Sequence, residues 1–146
     1  MVAQYLTVPS TESTHVAAIE AIYSSINPAV ASADIDQMLV NATRMVATMQ
    51  SYPTNVRRAL YSSLAKAFDR VREKGRGESI DFDEVDLKSL LFRSEDIEAL
   101  RLVRADALVA ICKTSPALRA KLSTAIAALR ADEKAPTVKH RLDTIS

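Results

Sequence analysis

Residues Val56 to Asp86 read VRRALYSSLAKAFDRVREKGRGESIDFDEVD. Val56, Leu60, Leu64, Ala67, Phe68 and Val71 fall at the spacing that gathers apolar side chains on one face of a helix, and Thr54 or Pro53 supplies its start. The pattern predicts a helix over 54–74. Gly75-Arg76-Gly77 then breaks it with the only two glycines of the chain. The helix and its end carry Arg57, Arg58, Lys66, Arg70, Arg72, Lys74 and Arg76. The loop beyond carries Glu78, Asp81, Asp83, Glu84 and Asp86. Projected around the helix, the bases spread over its whole polar half, with Asp69 and Glu73 set among them. A basic helix followed by an acidic run leaves two outcomes open: the loop folds back and neutralises the helix, or the helix stays free for phosphate.

The rest of the composition agrees with a helical reading. Two glycines and 5% aromatic residues are too few for a sheet with its hairpin turns. At 146 residues the chain has room for one core, so 1–146 is expected to be a single all-α domain. The net charge of +1 hides a segregation. Up to Val56 the charged residues are Glu12, Glu20, Asp34, Asp36 and Arg44, a net of −3, and the remainder nets +4. A charge-poor first third suits a surface that something covers. The single cysteine, Cys112, has no internal partner, and no leader pattern or membrane-length apolar run is present. The expected setting is a cytoplasmic or other reducing compartment, away from the membrane.

Outward from the central stretch, four more helices are legible. Toward the N-terminus, Val16, Ile19, Ile22, Tyr23 and Ile26 mark a helix over 12–26, and Asn27-Pro28 ends it. Ile35, Met38, Leu39, Ala42, Met45, Val46 and Met49 mark one over 33–50. Toward the C-terminus, Ser94 is read as the cap of a helix over 95–113, with Glu95 and Asp96 in its first turn where the dipole favours acids. That helix is apolar nearly all round and is expected to be central, with Arg101 and Arg104 extending to water, the preferred outcome, or finding a carboxylate. Ser115 and Pro116 open the last long helix, which runs to Asp132. A short helix capped by Asp83 or Asp86 and ending near Phe92 occupies the crossover. Residues 1–10 read as an N-terminal arm and 133–146 as a C-terminal tail. No internal repeat is visible. Short links then favour an up-and-down helical bundle of four long helices plus the crossover helix.

Catalytic raw material is scarce. Glu12-x-x-His15 has the spacing used in di-iron bundles, but the second copy that such a site needs is missing. The glycine count forbids a P-loop or a dinucleotide fingerprint. The acidic run lacks the glycine and terminal glutamate of a calcium loop. No cofactor and no enzymatic activity are expected. The function read from the sequence is a non-catalytic assembly or adaptor subunit acting through protein contacts, either with copies of itself or with a fixed partner, and a virion or other particle is one setting that suits it. The alternative is nucleic-acid binding through the basic helix 54–76.

Overall fold

The computed structural model describes residues 11–26, 32–47, 53–81 and 84–145. These residues form seven helices and no strand: α1 (Thr11–Ser24), α2 (Ser32–Ala47), α3 (Thr54–Glu73), α4 (Glu84–Leu91), α5 (Glu98–Thr114), α6 (Pro116–Asp132) and α7 (Pro136–Asp143). Residues 1–10, read as an arm, lie outside the described residues, as does Met49.

The apolar stripes do what their spacing requires. In α3, Val56, Leu60, Leu64, Ala67, Phe68 and Val71 are all buried, joined by Ala59 and Tyr61. The helix ends in a Schellman turn, in which the Gly75 N–H donates to the Arg72 carbonyl at 2.9 Å and the Arg76 N–H to the Val71 carbonyl at 3.0 Å. Gly75 takes the left-handed conformation the turn needs, with φ of 70°. In α2, Ile35, Leu39, Ala42 and Val46 are buried, while Met45, expected on the same face, is 58% exposed. Ser115 caps α6 by accepting the Leu118 N–H at 3.2 Å, with Pro116 in the first turn, as the sequence predicts. The same hydroxyl donates to the Ile80 carbonyl and so ties α6 to the loop after α3.

The all-α class holds, but the helices are not arranged as nearest neighbours in sequence. The three largest contacts skip one helix each time: α3 on α5, then α1 on α3, then α5 on α7. The odd helices form a row. The even ones attach to it, α2 packing on α1 and α4, and α6 on α5 and α7. An up-and-down bundle would put its largest contacts between successive helices. The reason lies in the apolar faces. With only eight residues, α4 cannot cover α3, and α5 is buried on several sides, through Leu100, Ala107, Leu108 and Ile111 among others.

Two boundaries differ from expectation. The helix placed at 95–113 begins at Glu98, because Glu95 is drawn into the interior. Residues 133–146 are not simply a tail: 136–143 form α7, which opens on Pro136 and buries Val138 and Leu142.

Gly77 adds a test of this packing. Its φ is 97°, and a Cβ there would collide with the Thr114 side chain, whereas one at Gly75 would meet open space. Gly75→Ala is expected to cost about 1 kcal/mol for the left-handed backbone alone. Gly77→Ala adds overpacking and is expected to cost roughly 3 kcal/mol. Urea unfolding of both variants checks the ranking; equal costs would mean that Thr114 yields freely.

Candidate interaction surface

The fate of the seven bases decides what surface remains. Arg57 Nε donates to Glu95 Oε1 at 3.1 Å. Arg70 Nη2 donates to the Tyr23 carbonyl at 2.7 Å, linking α3 to the end of α1. Arg72 Nη2 pairs with Asp69 at 2.6 Å, and its Nη1 lies 3.4 Å from both the Ala110 carbonyl and Thr114 Oγ1 on α5. Arg76 is half-buried at the break, while Arg58, Lys66 and Lys74 are exposed. The seven do not form one phosphate-binding face.

The acidic residues part company too. Asp81 pairs with Lys121 of α6 at 2.5 Å, and Ser79 beside it donates to Asp36 of α2. Glu78 is exposed. Asp83 lies outside the described residues, and Glu84 and Asp86 fall in the first turn of α4. Where it is described, the loop binds α2 and α6 instead of folding back on α3.

A polar cluster that sequence reading missed sits beneath the α3–α5 contact. Glu95 has a side chain with 0% exposure. Besides Arg57, it accepts the Tyr61 hydroxyl at 2.9 Å on Oε2. Burial, then the hydrogen bond to Glu95, pushes the Tyr61 pKa well up, which keeps the phenol a donor. Arg101 finds a carboxylate, the second of the two outcomes expected for it, and Arg104 is buried instead of reaching water. Arg101 Nε grips Glu133 at 2.8 and 3.1 Å, and its Nη1 reaches the Asp96 carbonyl at 2.9 Å. Arg104 Nη1 donates to the Arg93 carbonyl at 2.7 Å. Burial works to raise the Glu133 pKa, but the Ala135 amide, Arg101 and the Lys134 amide outweigh it and the carboxyl ends below its ordinary value. The signal available in the sequence was the presence of two arginines on a helix whose apolar residues run nearly all the way round.

Cys112 is buried, and burial raises its thiol to about 11, so it sits as a packed neutral side chain. No cluster of metal ligands occurs among the described residues. No helix among them is long and apolar enough to cross a membrane.

The outer side of the odd row is open. A groove of about 460 Å³ between α1 and α3 is lined by Val16, Ala17, Glu20, Arg58, Ser62 and Lys66, among others. A second, of about 490 Å³, lies between α3 and α5 and reaches α7, with Asp69, Asp106, Lys113 and Arg141 on its walls. Ser62 and Lys66 line both, so the exposed edge of α3 is a ridge between two adjoining grooves. Small residues at Ala17, Ala59 and Ser62 keep the grooves open. Asp69 and Asp106 are already paired, with Arg72 and Arg141.

Helices whose main contacts skip one element, stacked in a row with an open face, define a helical-repeat protein. The chain matches the family of ECM29, C-terminal ARM-like repeats, over residues 6–146, and belongs to it. No curated protein and no solved structure matches the chain. The repeats invisible as letters in the sequence are thus present as geometry.

The buried cluster makes two stability predictions. Tyr61→Phe leaves one Glu95 oxygen without its donor and is expected to cost about 2 kcal/mol in urea unfolding. Glu133 has a depressed pKa, so its contribution is complete above the ordinary glutamate range and disappears as pH falls through the folded-state value. The stability gap between wild type and Glu133→Gln should therefore be widest at neutral pH and close on acidification. A gap independent of pH would show that the ionised carboxylate does not stabilise the turn.

Proposed function

We propose that this ARM-like domain is a non-catalytic interaction module that binds a protein partner across the grooved face of its odd helices. The observation that carries the reading is the pair of adjoining grooves joined at Ser62 and Lys66. Stacked helical repeats bind through extended surfaces of this kind. The mixed chemistry of the walls fits a polar protein surface: small apolar residues at Val16 and Ala17, hydroxyls at Ser62 and Ser63, an acid at Glu20 and bases at Arg58 and Lys66. Nucleic-acid binding by helix 54–76 has less behind it. Arg57, Arg70 and Arg72 are engaged within the fold, and Glu20 shares the groove that Arg58 and Lys66 line.

A photo-crosslinking amino acid at Ser62, in cells that make the protein, tests the reading. Discrete protein adducts are expected at Ser62, lost with Lys66→Glu, and absent when the probe is moved to the exposed back of α6 at Ala120. Adducts with nucleic acid alone would reverse the choice of partner. Adducts only with the chain itself, matched by oligomers in sedimentation velocity, would make the face a self-association surface.

A further inference from the structure

A third cleft shares no lining residue with the two grooves. It has a volume of about 350 Å³ and lies between the 93–95 segment, the start of α5 and the turn from α6 to α7, with four bases, Arg93, Arg101, Arg104 and Lys134, and three acids, Glu95, Asp132 and Glu133, on its walls. We propose that it receives an acidic side chain, Asp or Glu, of the protein partner, with Arg104 as the principal contact.

Arg104 is 5% exposed, yet its one hydrogen-bond partner among the described residues is a carbonyl, that of Arg93. No carboxylate among them lies within ion-pair distance of it; Glu95 and Glu133 act on its charge only through space. Burial lowers its pKa by more than Tyr61, Glu95 and Glu133 raise it through space. A buried guanidinium without an anion is costly, and its remaining N–H groups form a fork suited to a carboxylate.

The two glutamates nearby do not fill that role. Glu95 is enclosed and bound by Arg57 and Tyr61. Glu133 is committed to Arg101 and to the Lys134 and Ala135 amides. Their charges are met by other donors, which leaves Arg104 with Lys134 at the mouth. Lys134 and Asp132 are both exposed at the rim, and Asp132 adds a third acid to the lining beside Glu95 and Glu133. A recessed site of this size suits one short anionic side chain. A nucleic-acid backbone would need a continuous basic track and would meet Asp132.

The proposal rests on the partner being a protein, and its test is separate from the Ser62 crosslinks. The full chain is titrated at low salt into a fluorescein-labelled octapeptide of alternating Glu and Gly, and into its Gln counterpart, with anisotropy as readout. Saturable binding to the Glu peptide is expected, weakened about tenfold by Arg104→Met. Lys134→Ala, a surface change that keeps the proposal testable should the Arg104 variant misfold, is expected to weaken it about threefold, and Asp132→Asn to tighten it about twofold. Lys113→Ala, in the α3–α5 groove, should change nothing. Equal affinity for the Gln peptide, no saturable binding, or affinities unmoved by the Lys134 and Asp132 changes would overturn the site. A short RNA that competes and loses affinity in the same variants would overturn its assignment to a protein carboxylate.

Discussion

Glu95 has no exposed side-chain surface, and two residues one turn apart on α3 hold it there, Arg57 and Tyr61. A carboxylate at that depth whose ion-pair partner, here Arg57, is removed costs about 3–5 kcal/mol, so the chain before α5 is confined to the first turns of α3. The confinement ends the extended segment at Ile97 and starts α5 at Glu98. From there Leu100, Ala107, Leu108 and Ile111 descend along the same helix that supplies Leu60, Leu64, Phe68 and Val71, which is the largest contact in the fold. Apolar burial provides most of the energy of that contact. Since a well-packed apolar substitute for a buried ion pair is often neutral, what Glu95 adds is register: it fixes which turn of α5 meets which turn of α3.

That interaction also shows where the sequence stops being readable. Elements set by local periodicity were legible: the stripe of α3, the Gly75 break, and the Ser115-Pro116 start of α6 all follow from residues a few positions apart. Glu95 is different. Locally, Ser94-Glu95-Asp96 before an apolar run is a good helix start. The competing partner is 38 positions away in Arg57, and no window of sequence contains both. The α7 helix escaped for another reason, since eight residues with Val138 and Leu142 as their two buried side chains are too few to establish a period. The repeat was hidden because stacking constrains which positions are apolar, and not which apolar residue fills them.

A row of stacked helices has little choice about where its surface lies. In a closed bundle the inner faces meet and the outer ones differ only in polarity. In a stack, every neighbouring pair leaves a furrow on the outside, and small residues such as Ala17, Ala59 and Ser62 decide whether it is filled. The fold thus generates grooves as a consequence of its packing, and the side chains on the walls set what they accept.

Charge distribution completes the picture. The segregated blocks in the sequence are converted by folding into short pairs that staple successive layers: Arg70 to the end of α1, Arg72 to Asp69 and α5, Lys121 to Asp81, Arg141 to Asp106. The first three engage a base or an acid that the sequence alone would have assigned to a basic helix or an acidic loop. Asp81 and Ser79 act on α6 and α2, so Glu78 apart, the described part of the acidic loop serves the even helices. Arg58 and Lys66 are therefore left facing the grooves instead of being neutralised by it, and the residual charge of α3 sits where the fold is open.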